Sequence, residues 1–377
     1  MKILIAPDSF KDSLKAAGVA KSIKEGFSAI VPKSEFSIIP MADGGEGTVE
    51  SVIDATSGTI YKVKVHDPLM RATESFFGIT GDGSTAVIEM AAASGIEKLT
   101  REERNPWVTT TYGTGELIKL ALEKGVKKII IGIGGSATND CGAGMAQALG
   151  VKLLDSTGNE IEKGGGALRK VSSIDISGID AKIRSTEIQV ACDVTNPLTG
   201  EKGASHVYGP QKGADKDMVL KLDENLKHFA SIILQQTGKD ILEIPGSGAA
   251  GGLGGGLMAF LDATLMKGFD IIANAIELEQ KIQECDLVIT GEGKIDFQTQ
   301  YGKTIFGVSR LAKKHHKPVI VIAGTVADGA EIMYEKGVDA IFSIVDKPMP
   351  LDEALKNAPK LLAKTGERIA RLLQFRI

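Results

Sequence analysis

The sequence predicts an α/β protein with a largely parallel, doubly wound sheet, interrupted by a second α/β domain that contains an antiparallel meander. Three observations lead there. Seven short apolar runs rich in Ile and Val are bounded by Gly, Asp or Ser, which is how strands buried on both faces read. Helical patterns separate several of them, and alternating strand and helix implies parallel pairing. One stretch, 59–90, instead alternates apolar and polar residues, as strands with one exposed face do.

In chain order, KILIA (2–6) leads to a helical pattern over 14–30, and FSIIP (36–40) follows. TIYKVKVHD, ATESFFGIT and TAVIEMA are the meander strands, joined by DPLMR and GDGS, which carry turn residues. A helix over 114–124 precedes KKIIIGIG (127–134). IQVACDV (188–194) and a helix over 217–237 come next. DLVITGEG (286–293), a helix over 304–315, PVIVIAG (318–324), AIFSIV (340–345) and a helix over 351–373 complete the series. The doubly wound pattern resumes near Cys285. The expected division is therefore 1–60 plus 285–377 for a discontinuous parallel-sheet domain and 61–284 for the insert.

Composition excludes several classes. The chain has 377 residues, with 44 basic and 48 acidic side chains, so its formal charge is −4. That balance leaves no global footprint for nucleic acid. A hydrophobic fraction of 43% and a charged fraction of 24% rule out disorder, collagen and coiled coil as whole-chain readings. Cys141, Cys192 and Cys285 are widely spaced with no CxxC pair, against a disulfide framework or structural zinc and in keeping with a reducing cytoplasm. His315 and His316 sit in the basic run KKHHK, read as a solvated helix end. The apolar start stops at Asp8, too short for a signal peptide. The longest uncharged stretch, 245–261, is dense in glycine and too short to span a bilayer. A cytoplasmic protein with neither membrane nor nucleic acid as partner is expected; homo-oligomerisation is left open.

Glycine makes up 45 of the 377 residues, about 12%, against a typical ~7%. The clusters at 44–47, 132–135, 142–144, 164–166, 246–256 and 291–293 mark places where backbone turns tightly or approaches a ligand. One cluster imitates a dinucleotide fingerprint. Gly132, Gly134 and Ala137 satisfy G-x-G-x-x-A after a strand, and strand VKLL ends at Asp155, 23 residues after Gly132. Alone, this supports an NAD-dependent oxidoreductase. Against it, Asn139, Asp140, Gly142 and Gly144 suit a broad polar loop better than a tight strand-to-helix turn. A second near-match, Gly302-Lys303-Thr304, lacks the leading glycine of a P-loop, since Phe297 stands there. Lys303 remains a point charge for a phosphate.

Four polar segments follow apolar strands. In 6–13, Lys11 beside Asp8 and Ser9 suits an anionic substrate, while Ser13 reads equally as a helix N-cap. In 41–48, Asp43 and Glu46 flank glycines, a pattern that orders lysines or a metal. In 191–197, Asp193 ends a strand, where α/β catalytic acids sit, and Cys192 reads as a small core residue. In 290–296, Glu292 and Asp296 are candidates for Mg²⁺ or for a base. The run GSGAAGGLGGG (246–256), with Gly251 and Gly252, opens a helix and offers an anion hole, as do Gly134, Gly135 and Ser136. Glycine loops for phosphates, carboxylates for Mg²⁺ and a base, and nearby lysines are the parts of a phosphotransferase.

Together APDSFKDSL, PMADGGEGT, TTYGTGELI, IGIGGSATND-GAGM, ACDVTNPLTG, YGPQKGA, GAAGGLGGG and VITGEGKIDFQT-GK resemble the bacterial glycerate kinase family, type 1. They run collinearly from residue 6 to about residue 303. The resemblance implies a flavodoxin-like domain split by an insert, with the active site in the interdomain cleft. It implies ATP- and Mg²⁺-dependent phosphorylation of D-glycerate in organic-acid metabolism, at the 2-hydroxyl to give 2-phosphoglycerate and ADP. The alternatives are 3-kinase regiochemistry, the oxidoreductase, and a non-catalytic nucleotide sensor. Asp193 is expected as the base and Asp296 with Glu292 as metal ligands, two assignments that can be exchanged. Asp193 and Asp296 are expected on neighbouring loops, with Asp43 joining them from the second strand. Lys11 and Lys303 would neutralise carboxylate and phosphate charge. Two positions depart from the family pattern: Asp12 and Cys141 stand where glycine is usual.

Overall fold

The computed structural model describes residues 1–374 except Asp43, Glu46, Gly302 and Lys303. In chain order its strands are β1 (Lys2–Ile5), β2 (Glu35–Ile38), β3 (Thr59–His66), β4 (Ala72–Ile79), β5 (Thr85–Glu89), β6 (Lys128–Gly132), β7 (Lys152–Leu154), β8 (Ser173–Asp175), β9 (Glu187–Ala191), β10 (Thr264–Met266), β11 (Leu287–Ile295), β12 (Val319–Val326) and β13 (Ala340–Ser343). The chain divides into two compact units. One comprises Met1–Asp43, Glu50–Ser57 and Phe269–Ile377; the other comprises Gly44–Val49 and Gly58–Gly268.

The first unit carries a five-stranded, all-parallel sheet in the order β2-β1-β11-β12-β13. Numbered within the unit, that is 2-1-3-4-5, the flavodoxin-like order. Its central strands alternate almost no polar residues because both faces are covered. Ile3, Ile5, Ile289 and Ile322 share one core with Phe27 and Leu362. Phe27 and Leu362 come from the helices Ala16–Ile30 and Leu351–Leu373, which the periodicity located to within two residues. Burying such side chains supplies roughly 1.5–3 kcal/mol each.

The second unit carries a six-stranded mixed sheet, β10-β9-β6-β5-β4-β3. The meander of β3, β4 and β5 is antiparallel, and β5, β6, β9 and β10 run parallel. The alternation in β3 is visible in its burial, with Tyr61, Val63 and Val65 turned toward the core. Helices Tyr112–Glu123 and Lys216–Thr237 add Leu117 and Phe229 to that core. A separate antiparallel pair, β7 with β8, stands outside the main sheet.

Two local expectations change. Ser13 does not cap the first helix: Lys15 takes the N-cap position, and the Ser13 hydroxyl donates to the Leu355 carbonyl at 2.7 Å. The two departures from glycine keep a glycine-like backbone, with φ of +62° at Asp12 and +51° at Cys141. Left-handed backbone costs an L residue roughly 1–2 kcal/mol, less for Asp. Asp12→Gly is therefore expected to raise the denaturant midpoint by the equivalent of about 0.5–1 kcal/mol; an unchanged midpoint would show that exposed Asp12 carries no strain.

Candidate active site

In open parallel sheets, ligands bind beyond the carboxyl ends of the strands, at the point where strand order reverses. In the five-stranded sheet that point lies between β1 and β11. Both chains leave their strands there with acids. The Asp8 amide continues the ladder by donating to the Gly291 carbonyl at 2.8 Å. Its carboxylate accepts from the Ser9 amide at 2.6 Å and from the Thr304 hydroxyl at 2.6 Å. Strand β11 runs past its glycines to Ile295, so Glu292 lies inside the strand rather than at its end. Glu292 is buried and accepts from the Thr299 hydroxyl at 3.0 Å. Asp296 follows the strand directly, pairs with Lys294 at 2.9 Å and accepts the Gln298 amide. Glu292 lies within β11 and Asp296 one residue beyond its end, four positions apart in sequence. Lys11 is exposed on the neighbouring turn, where Gly293 approaches its amide. Lys303, and with it the near-P-loop lysine, lies outside the described residues, as does Asp43.

In the six-stranded sheet the parallel strands end side by side, with Glu89, Gly132 and Ala191 in register. The segment Gly44–Val49 crosses these ends. The Gly44 carbonyl occupies the space that a side chain at Gly132 would need, and Gly44, at φ +91°, lies against the Ala191 methyl. Glu89, buried, accepts the Val49 amide at 2.8 Å. Gly132 is thus required by this crossing and not by a pyrophosphate. The rest of the dinucleotide reading also fails on geometry. The helix after β6 begins only at Ala143, eleven residues past the end of the strand, so its N-terminus does not directly follow the turn. The expected second strand, β7, is not in the main sheet at all.

Between β6 and that helix runs a polar loop. Gly134 and Gly135 are exposed, while Ser136 is buried. The loop interlocks with the glycine turn 246–252: the Gly251 position lies against the Thr138 carbonyl with no room for a side chain, and the Cys141 amide donates to the Gly251 carbonyl at 3.1 Å. Gly251 and Gly252 are buried, so they admit the neighbouring loop from below. Asp193, two residues beyond β9, is exposed, and its carboxylate accepts the Gly268 amide at 3.1 Å. Asp193 and Asp296 thus follow strands of two different sheets, β9 and β11.

The profile of the Glycerate kinase family matches residues 3–374. The chain belongs to the glycerate kinase family. It is 52% identical to the glycerate 2-kinase of Escherichia coli (strain K12) over 99% of this chain and 98% of that one. It is also 52% identical to the glycerate kinase of Halalkalibacterium halodurans over 98% of this chain and 97% of that one. A crystal structure from Salmonella typhimurium LT2, bearing the name glycerate kinase 2, superposes with a TM-score of 0.92 at 50% identity, covering 99% and 98% of the two chains.

Against this family background, three groups stand out that residue-by-residue reading did not single out. Glu89 had no motif around it; only its place at a parallel strand end marks it. Asp140 is fully buried and collects five donors: the Thr111 amide and hydroxyl, the Thr110 hydroxyl, and the Gly142 and Gly144 amides. Burial pushes its pKa up while those hydrogen bonds pull it down. Lys212 is 2% exposed, and burial lowers its pKa to about 7, with Asp140 acting in the opposite sense. Burial raises the pKa of each cysteine thiol, which disfavours the reactive thiolate.

Proposed function

We propose that the chain transfers the γ-phosphoryl group of ATP to the 2-hydroxyl of D-glycerate, releasing 2-phosphoglycerate and ADP. The observation that carries this reading is full-length membership of the glycerate kinase family together with acids and an exposed glycine turn at parallel strand ends. The relative named glycerate 2-kinase, 52% identical over 99% of this chain, supports the 2-position over the 3-position. The setting proposed is glycerate breakdown in the cytoplasm. No helix among the described residues is long and apolar enough to cross a membrane.

Asp193 serves as the base. It takes the hydroxyl proton while the glycerate oxygen bonds to the γ-phosphorus and the bond to the β-phosphate oxygen breaks, leaving ADP. The Gly268 amide holds this carboxylate in one orientation. Glu292 and Asp296 are hard oxygen donors in and directly after one strand. That fits Mg²⁺, which takes one or two carboxylates and completes its shell with water and substrate phosphates. When bound, the ion neutralises charge on the β- and γ-phosphate oxygens. Ser9 and Lys11 bind the substrate, with Asp8 orienting the turn through the Ser9 amide; from sequence, Lys303 is assigned to the substrate and Asp43 to the catalytic acids. The Gly134–Gly135 backbone meets the nucleotide phosphates, with Ser136, Gly251 and Gly252 supporting it.

Purified protein is expected to release ADP only when D-glycerate and Mg²⁺ are both present. Coupling to enolase identifies the product, since enolase consumes the 2-phosphate. Accumulation of 3-phosphoglycerate would overturn the regiochemistry. NAD(H) binding with no glycerate-dependent ADP would overturn the kinase itself.

A further inference from the structure

Among the described residues, Lys212 is the buried basic side chain that the transfer chemistry above leaves unused. It closes the turn Pro210–Lys212 and is 2% exposed. Its Nζ donates to the Thr138 carbonyl at 2.6 Å and to the Ser136 Oγ at 3.2 Å. The Ser136 Oγ also accepts the Thr138 amide at 3.1 Å. The Ser136 hydroxyl is within reach of two acceptors, the Thr138 Oγ1 at 3.1 Å, where either hydroxyl can donate, and the Ala250 carbonyl at 3.2 Å. A hydrogen-bonded cluster of Lys212, Ser136, Thr138 and Ala250 thus ties the polar loop to the glycine turn. Ala250 sits at φ +54°, so this link also holds a strained residue in place. The exposed backbone of Gly134 and Gly135 directly precedes Ser136.

A buried ammonium is costly unless its charge is used. Asp140 is the charge that acts on it within the protein, and Asp140 is already supplied with five donors.

We propose that Lys212 is a positioning residue for the polyphosphate of the nucleotide: its ammonium fixes the Gly134–Ser136 turn and supplies positive charge behind the backbone that meets the phosphates. The inference rests on the kinase reading given above. It predicts a loss that follows phosphate charge and spares the nucleoside. A purely structural lysine would lose both alike.

The test compares binding of ADP, inorganic tripolyphosphate and adenosine to the wild-type chain and to Lys212→Met by calorimetry, with circular dichroism as the check on folding. The expected result is at least a tenfold weaker affinity for ADP and tripolyphosphate, with adenosine changed less than twofold. Equal losses for all three, or none for ADP, would overturn the proposal. Where Lys212→Met does not fold, Ser136→Ala takes its place, because it keeps the lysine and cuts the link to Ala250. It is expected to weaken ADP severalfold with adenosine unchanged, and unaltered ADP binding would overturn the proposal. Wild-type protein that binds ADP but does not phosphorylate glycerate would refute the kinase reading alone. Wild-type protein that binds neither ADP nor tripolyphosphate would refute both.

Discussion

Asp193→Asn is expected to keep the fold and nucleotide binding and to lose at least about 10²-fold in turnover, the lower end for general acid–base catalysis. The substitution is a narrow one. An asparagine oxygen still accepts the Gly268 amide, which Asp193 holds at 3.1 Å, so the link between the ends of β9 and β10 survives. What disappears is the capacity to take the hydroxyl proton. The melting temperature should move by no more than a degree or two, and the KM for ATP should hold. If the variant turns over at near the wild-type rate, Asp193 only braces the strand ends and the base must be sought elsewhere, Asp296 first.

Gly134→Leu is expected to cost about 10²-fold in kcat/KM for ATP, the scale on which small misplacements of bound groups are felt, with little change in stability. Gly134 is exposed, and the nearest heavy atom to an added Cβ is the Gly45 Cα at 3.5 Å, an ordinary contact. The side chain therefore fits the protein and occupies the space in front of the turn. Gly135, at φ +74°, is the poorer probe, because a branched residue there strains the backbone whether or not a ligand binds. A folded Gly134→Leu variant with wild-type ATP kinetics would remove this turn from the nucleotide site.

The parallel strands were legible because burial on both faces leaves an unbroken Ile/Val signature, as in Ile129–Ile131 and Val319–Ile322. The meander was legible for the opposite reason, its half-exposed alternation. Acids at strand ends were visible as the abrupt change from apolar to polar at Asp8 and Asp193. Less legible was anything that depends on what lies across from a residue. Gly132 satisfies a nucleotide fingerprint, yet its reason is the Gly44 carbonyl, 88 positions earlier in the chain. The run at 246–256 looked like a ligand loop and packs as an internal one. Lys212 sits in YGPQKGA, where composition argues for an exposed turn. Nothing in its neighbours announces that the Ser136 and Thr138 oxygens, some 75 residues away, close over it.

The pairing of Ile3 with Leu287 and of Ile5 with Ile289 sets a timetable for biosynthesis. Strands β1 and β2 leave the ribosome early, yet β11, the other partner of β1, is made only after the whole of the six-stranded unit. At 5–20 residues per second, an interval of about 280 residues leaves the aliphatic edge of β1 without its partner for roughly 15–60 seconds. Throughout that time it is an open template for pairing with other chains. Nascent chains stalled shortly before residue 287 should therefore be the ones that holdase chaperones retain, and chains stalled well beyond β12 should be released.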